Sequence, residues 1–347
     1  MTAGKIAPLI GSLFVVGLVC PAQTPLELKP VAVVSVANRT ANGILEPIKC
    51  DSNSNIYVLA FQESDPPGGT PVTKITPDGK ASVFPLPTVK DKRLQILDFA
   101  PGANGGVVLL VRDNEGQSYV ESHTEDGGLD WKFSLPAELR AMQVAVSPKG
   151  KILVCGLWSS AAGPGGESTK PFAAVFDKTG REEREVSLTE DTQASGGAPS
   201  AAGAETGSSA KNVRRAISYS SAQFSSNESF VLARLSAGGA IYIISPDGFE
   251  VNTVHPSTPP DTQLSSVKVD GDTIAALFFK RKKGSAQSEI SDVFISLLNS
   301  QTGEEQGQYH HSSWQLGAAL ACYKSGLFTF VTTGDNNQLQ IVRAAAK

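Results

Sequence analysis

The chain has 347 residues, a formal net charge of −4 and an apolar share of 40%. That share is ordinary for a globular protein, and the mildly acidic balance gives no reason to expect nucleic acid as a partner. The length fits two ordinary domains or one large closed β structure, and a repeat along the chain would favour the second.

The first 22 residues predict a secretory signal peptide. Lys5 supplies a short basic segment, the apolar run IAPLIGSLFVVGLV follows it, and the small Ala22 offers a cleavage point. We therefore expect an exported protein, periplasmic or extracellular, whose mature chain begins at residue 23. An uncleaved N-terminal anchor and lipid attachment at Cys20 are the alternatives, although Val19 is larger than the residue that lipoprotein signals favour there. Either alternative would associate the protein with a membrane.

A turn motif recurs along the chain. Residues 75–84 read ITPDGKASVF and residues 243–252 read IISPDGFEVN. In such a turn proline presets φ, aspartate bonds the backbone two residues on, and glycine takes the left-handed position that closes a short hairpin. Equivalent turns are centred on Gly127, Gly180 and Gly303. These turns predict five hairpins of similar construction.

A second pair of strands precedes each of these turns. Each pair consists of a strand, a turn rich in Gly, Asn or Ser, and a strongly apolar strand. The pairs occupy residues 47–61, 96–111, 142–158, 218–235 and 265–279. The repeating unit is therefore four antiparallel strands, a to d, over roughly 50 residues, which is the period of a β-propeller blade.

The two ends of the mature chain predict how the ring closes. Residues 318–344 supply strands a, b and c of one more blade, and its fourth strand is missing. An open blade edge would leave a row of unpaired backbone donors and acceptors. Residues 29–37, KPVAVVSVA, form a strand-like run before the first blade. We therefore expect this run to supply the missing strand and to close a ring of six blades.

The pattern resembles a six-bladed β-propeller of the broad TolB-like and NHL-like group. The first blade carries the likeness best, through Pro47, Ile48, Asp51, the NIYV of residues 55–58 and the turn at 75–79. The resemblance implies an all-β fold with residues 23–347 in a single propeller domain. Its motifs are structural, so it transfers no function to particular residues.

The blade pattern divides the connections between two faces of the disc. Loops between strands b and c lie on one face with the connections from strand d to the next strand a, and the tight turns lie on the other. The long segments all fall on the first face, at residues 62–71, 159–170, 189–215 and 280–289. We call it the loop face and expect any partner there, because binding residues gather on loops held by a rigid scaffold. Alternatively, these are surface insertions without a ligand, and the composition of residues 189–212 predicts disorder.

A few side chains near the loop face are candidates for binding. They are Trp158, Lys280, Arg281, Lys282, Lys283, His310, His311 and Trp314. The simpler interpretations are a solvated His pair without a third metal ligand, a charged hairpin end that blocks edge pairing, and a Trp packed between blades.

Catalysis would need groups that converge in the central channel. Asp51, Asp98, Asp270 and Asn227 are expected near the turn ends of strand a, and no inward-facing Glu or His is expected beside them. A G-x-S-x-G nucleophile motif is absent from the sequence. We therefore predict no catalytic residue, metal or cofactor, and favour a non-catalytic platform that binds a protein, peptide or glycan. The alternative is a metal-assisted hydrolase, because lactonase-like enzymes of the wider propeller group hold a divalent metal in the channel.

The cysteines predict little. Once Cys20 is removed with the signal peptide, Cys50, Cys155 and Cys322 remain, so at most one disulfide forms. We expect each as a free, buried thiol. Cys50 and Cys322 occupy similar positions in blades that closure makes neighbours, but we expect them to be too far apart to bridge.

Overall fold

A computed structural model describes residues 25–40, 45–60, 70–85, 87–89, 92–163, 166–188, 220–235, 239–259, 261–282, 290–310 and 319–346. The predicted signal peptide and residues 189–212 lie outside these ranges. No helix in the described part of the chain is long and apolar enough to cross a membrane.

Four sheets of four antiparallel strands follow one another along the chain. The first holds β2 (Leu45–Cys50), β3 (Ile56–Leu59), β4 (Val72–Ile75) and β5 (Ala81–Val83). A two-stranded ribbon of β6 (Thr88–Val89) and β7 (Lys92–Arg93) leads to the second, which holds β8 (Gln95–Pro101), β9 (Val107–Arg112), β10 (Ser118–His123) and β11 (Leu129–Ser134). The third holds β12 (Leu139–Val146), β13 (Ile152–Gly163), β14 (Gly166–Phe176) and β15 (Glu182–Glu185), and the fourth β16 (Ser220–Phe224), β17 (Phe230–Arg234), β18 (Ile241–Ile244) and β19 (Val251–Val254).

The remaining described strands form one eight-stranded sheet with two halves. One half holds β20 (Thr262–Asp270), β21 (Thr273–Arg281), β22 (Ile290–Asn299) and β23 (Glu305–His310). The other half holds β24 (Ala319–Lys324), β25 (Leu327–Thr333), β26 (Gln338–Ala346) and the N-terminal β1 (Leu26–Thr40). The strand order across the sheet is β20-β21-β22-β23-β1-β26-β25-β24. The all-β class and the arrangement of four-stranded antiparallel sheets as a β-propeller agree with the sequence prediction.

The N-terminal strand closes the ring as the sequence predicts. β1 runs antiparallel to β26, from the pair Leu28 and Ala346 to the pair Thr40 and Gln338. Its first two residues, Leu26 and Glu27, also pair in parallel with the end of β23. Strand β1 therefore joins the two halves of the eight-stranded sheet.

The hydrophobic core lies between consecutive sheets. Buried apolar side chains of the described residues fall into six clusters. One cluster joins Tyr57 of the first sheet to Phe99 of the second, and another joins Val36 of β1 to Ile48 of the first sheet. The cluster of Val36 and Ile48 connects the last part of the eight-stranded sheet to the first sheet. The sheets therefore pack in a closed circle, as a propeller requires.

The five predicted turn glycines adopt the backbone conformation that their role requires. Gly79, Gly127, Gly180, Gly248 and Gly303 all have positive φ, between 74° and 87°. This is the left-handed region that only glycine enters without steric cost. The prediction of five equivalent hairpins is therefore confirmed.

Two expectations about connections and cysteines were wrong. Residues 159–170 were expected to form a loop insertion, but β13 and β14 continue through them and pair as far as Gly163 and Gly166. Cys50 and Cys322 were expected to be too far apart to bridge, but they form a disulfide with a Cα–Cα separation of 5.7 Å. Their inner strands approach more closely than the sequence pattern implied, whereas Cys155 is buried and free.

Candidate functional site

The candidate site is a cavity of about 660 Å³ in the central channel. The first strand of every sheet and of each half of the eight-stranded sheet contributes to its wall, so β2, β8, β12, β16, β20 and β24 are the inner strands. Most of the lining residues lie toward the start of these strands, as Gln95 and Gln263 do, or at and just after the ends of second strands, as Arg112 and Leu235 do. Lys49 and Lys268 lie deeper, toward the ends of β2 and β20. Strand starts and second-strand ends both belong to the loop face, so the cavity lies at that end of the channel.

Bulges reshape the inner strands beside this cavity. The ladders are shifted between Leu45 and Ile48, Ile96 and Asp98, Ala141 and Gln143, Leu264 and Ser266, and Leu320 and Cys322. A bulge places an extra residue on one strand, bends it and redirects the side chains beside it, and such features are common next to binding sites. The bulged residues Leu97, Met142 and Ser265 all line the cavity.

A buried ion pair forms part of the cavity floor. Lys49 Nζ of β2 lies 2.8 Å from Asp98 Oδ2 of β8, and both side chains are almost fully buried. Lys49 also donates to the Val144 carbonyl of β12 at 2.9 Å, and the Val144 amide donates to Asp98 at 2.7 Å. The pair therefore ties together the inner strands of the first three sheets.

Asp98 corrects an expectation from the sequence. It was expected at the turn end of its strand with Asp51, Asp270 and Asn227, but it lies in the middle of β8, where the bulge after Ile96 precedes it. The other three do lie in or beside turns. Asp51 accepts the Asn53 and Asn55 amides, and Asn227 is bonded to Ser225.

Burial and the charge of the partner shift the pKa of each side chain of the pair in opposite directions. Burial raises the pKa of Asp98, and the Lys49 charge and the Val144 amide oppose that shift. Burial likewise lowers the pKa of Lys49, and Asp98 opposes it. A buried pair held by such close hydrogen bonds stays charged only while both partners are present. The charges at the floor of the cavity therefore depend on the contact between Lys49 and Asp98.

Hydrogen bonds of the same kind cross the other side of the channel. Lys268 of β20 is buried, and its Nζ donates to the Ile48 carbonyl of β2 at 2.6 Å. Gln223 of β16 donates to the Val267 carbonyl at 2.9 Å, and Ser266 donates to the Leu320 carbonyl at 3.3 Å. These bonds hold the inner strands in register around the cavity.

Two arginines lie side by side at the rim between the second and third sheets. Arg112 is partly buried, and its Nη2 donates to the Ala141 carbonyl at 3.1 Å. Arg140 is exposed and immediately precedes that carbonyl. Burial and the neighbouring Arg140 charge lower the pKa of Arg112. Four cationic side chains therefore line the cavity: Lys49, Lys268, Arg112 and Arg140. Among the described lining residues, Asp98 is the one carboxylate.

The described side chains among those proposed from the sequence do not line this cavity. Trp158 is partly buried and packs against the core cluster between the second and third sheets, with its ring 5.5 Å from that of Phe172. His310 ends β23, where it lies 3.3 Å from Asp292 and stacks on Phe294. These placements agree with the packing interpretation of Trp158. They put His310 inside the eight-stranded sheet, where it pairs with Phe294 of β22 on one side and with Glu27 of β1 on the other.

The basic segment near residue 280 is only partly described. Lys280 and Lys282 are exposed at the end of β21 and just after it, and the backbone of Arg281 belongs to β21. Lys283, His311 and Trp314 lie outside the described residues. A role in binding stays a prediction for all of these side chains.

Sequence reasoning missed Lys49, Lys268, Arg112 and Arg140. A signal for the two lysines was present, because each interrupts an apolar inner strand, in PIKC and in SVKVD. Nothing in the sequence alone brings Arg112 next to Arg140, since they belong to different sheets.

Metal ligands do not converge in the described part of the chain. It contains no group of three or more His, Cys, Asp or Glu side chains arranged to hold a metal ion. The arrangement observed instead places positive charge around a polar cavity, which favours an anion.

No protein-family model matches the sequence, and no curated protein matches it either. Solved structures of low sequence identity are similar to it. The α-L-arabinanase of Penicillium chrysogenum, in complex with arabinobiose, is 10% identical, with 91% of this chain and 98% of that chain covered and a TM-score of 0.48. The Pan2 WD40 domain of Neurospora crassa is 10% identical, with 93% and 96% covered and a TM-score of 0.47. A putative TolB of Agrobacterium tumefaciens is 12% identical, with 80% and 88% covered and a TM-score of 0.45. These scores are too low to transfer any property, so the fold rests on the strand pairing of this chain.

Proposed function

We propose that the protein is an exported, non-catalytic β-propeller that binds a protein, peptide or glycan through its loop face. The cavity at the loop-face end of the channel carries this proposal. Its volume of about 660 Å³ lies within the range of roughly 300–1,000 Å³ that ligand sites occupy. Every inner strand contributes to its wall, so a rigid ring holds the site.

The disulfide supports export. Cys50 and Cys322 are bridged, and bridges of this kind persist in oxidising compartments such as the periplasm and the extracellular space. The signal-peptide pattern of residues 1–22 points to the same compartments.

We also infer that the eight-stranded sheet is two blades joined edge to edge, which gives the propeller six. Two residue pairs join β1 to β23, whereas β1 follows β26 over most of that strand. A core cluster lies between the two halves, as one lies between each pair of neighbouring four-stranded sheets.

The alternative of a metal-assisted hydrolase has less support. Such a site needs several oxygen or nitrogen ligands that converge on one point of the channel. Asp98, which lines the cavity, is already paired with Lys49, and nearby cationic side chains would repel a divalent cation. Binding without catalysis is therefore the better account of the channel.

The test measures binding of a panel of acidic, neutral and basic hexapeptides and of neutral and acidic oligosaccharides. Calorimetry and thermal melts of the mature protein should identify a ligand that binds one to one and raises the melting temperature. Ser221→Trp places a large side chain in the cavity wall and should abolish this binding. Ser82→Trp, on the exposed outer strand β5, should leave it unchanged. Binding that survives Ser221→Trp, or turnover of a ligand by the wild-type protein, would contradict the proposal.

A further inference from the structure

We infer that the channel cavity binds the carboxylate of its ligand through Arg112 and Arg140. The inference rests on the proposed binding role of the loop face and names the chemistry of what is bound. The carboxylate belongs either to a small free acid or to an acidic side chain of a peptide.

Two neighbouring arginines at the cavity rim carry charge that no described acidic side chain neutralises. Neither Arg112 nor Arg140 has an acidic side chain within ion-pair distance among the described residues. Other cations are paired, as Lys151 is with Glu183. Within the described part of the chain, the two adjacent guanidinium groups therefore lack the anion that such groups bind most strongly.

Hydrogen bonds hold the Arg112 guanidinium in place at the cavity rim. Arg112 reaches across from β9 to the Ala141 carbonyl, and its Nε lies 3.4 Å from the Ser118 hydroxyl. These bonds fix the plane of the guanidinium and leave N–H groups for a ligand, since a guanidinium has five donors. Arg140 is exposed and makes no hydrogen bond to the described residues, so it can close on the bound anion.

The size of the cavity favours an organic carboxylate over a simple inorganic anion. Its volume of about 660 Å³ lies in the range that small organic ligands fill, and an inorganic anion would occupy only a small part of it. Contacts between the rest of the ligand and the cavity wall should therefore make an organic carboxylate bind more tightly than inorganic phosphate.

The test uses defined probes and one matched pair of variants. Isothermal titration at about 20 mM salt compares a free dicarboxylate, glutarate, with the capped peptide Ac-Glu₄-NH₂. Ac-Gln₄-NH₂ and inorganic phosphate are the controls. Arg140→Gln removes an exposed guanidinium that makes no hydrogen bond to the described residues, so the variant should fold normally. Arg181→Gln removes an exposed guanidinium in a turn on the opposite face.

We expect at least one carboxylate probe to bind one to one, with the glutamine peptide inert and phosphate weaker. Arg140→Gln should weaken that binding by about tenfold or more, Arg140→Lys by less, and Arg181→Gln by less than about twofold. Binding of glutarate alone identifies a small acid as the ligand type, and binding of the glutamate peptide identifies an acidic chain segment.

Three results would overturn the inference. They are no binding of either carboxylate, phosphate binding as tightly as the carboxylates, and equal losses in Arg140→Gln and Arg181→Gln. A different result is a neutral ligand from the wider panel that binds equally well to the wild type and to Arg140→Gln but fails to bind to Ser221→Trp. That result would support the proposed binding function and overturn this inference alone.

Discussion

Cys50 of β2 and Cys322 of β24 are joined by a disulfide across 272 residues of sequence. The two inner strands belong to the first sheet and to the last part of the chain, so the bridge fixes the closure of the ring covalently. A cross-link across so long a loop restricts the unfolded chain strongly and stabilises the fold by about 5–6 kcal/mol in the chain-entropy treatment.

Replacing both cysteines should therefore lower the free energy of unfolding by a similar amount. We expect Cys50→Ser/Cys322→Ser to shift the urea midpoint downward, and a reductant to shift the wild type to about the same value. Cys155→Ser, at the buried free cysteine, should leave the response to reductant intact. A wild-type midpoint that does not change on complete reduction would contradict the stabilising role.

The Lys49 and Asp98 pair predicts non-additive mutations. Lys49→Met leaves a buried carboxylate without its ammonium partner and should cost about 3–5 kcal/mol. Asp98→Asn keeps an oxygen for the Val144 amide but removes the charge that Lys49 needs. Urea unfolding of both single variants and the double variant should give a double loss clearly smaller than the sum. Additive losses would show that the two side chains do not depend on one another.

The repeated hairpins and the closing strand followed from the sequence because their causes are local. A Gly in the left-handed region, as at Gly79 and Gly248, is required by the turn itself. Residues 29–37 form a strand-like apolar run, and an incomplete last blade needs a partner whatever the details of packing. Local conformational propensity and a count of the strands were sufficient to predict these features from the sequence.

The cavity depended on information that no single segment contains. Asp98 faces Lys49 because a bulge after Ile96 shifts the register, and register shifts leave little trace in sequence. The approach of Cys50 to Cys322 depends on how tightly inner strands of neighbouring blades pack. Arg112 meets Arg140 only through the contact between two sheets. Such features arise from tertiary packing, so the sequence pattern did not predict the cavity.

Alanine substitutions at two glycines with similar φ should distinguish the cost of backbone strain from the cost of a steric clash. Gly180 has φ +83°, and a Cβ there would lie 2.7 Å from the Phe133 side chain, whereas Gly116 has φ +90° and open space around it. Gly116→Ala should cost about 1–2 kcal/mol, which is the left-handed penalty alone. Gly180→Ala should cost roughly 1–3 kcal/mol more, because Phe133 belongs to the core between two sheets. Equal losses in thermal melts would show that Phe133 moves aside freely.

Glu121 predicts a specific acid dependence. Its burial raises the pKa, but hydrogen bonds from His123 and Lys132 outweigh burial and hold the pKa below its usual value. A carboxyl with a lowered pKa stabilises the fold above its unfolded pKa, about 4.3, and loses that contribution as pH falls through the folded value. Glu121→Gln should therefore be less stable than wild type at pH 7, by roughly 1–3 kcal/mol, and the difference should shrink below about pH 4. The exposed Glu115→Gln is the control, and a difference that stays constant with pH would contradict the assignment.

The closing strand predicts an asymmetry between two deletions. Removing residues 29–37 takes away the antiparallel ladder to β26 and the buried Val36, which packs against Ile48 of the first sheet. The exposed edge and the lost core should abolish cooperative unfolding or lower the melting temperature severely. Removing residues 189–212, which lie outside the described structure, should change the urea midpoint little, because their composition cannot support a packed core. Val36→Ala gives a milder form of the first change and should cost about 1–2 kcal/mol. If the deletion of 189–212 proved the more damaging, the division of the chain into sheets closed by β1 would be wrong.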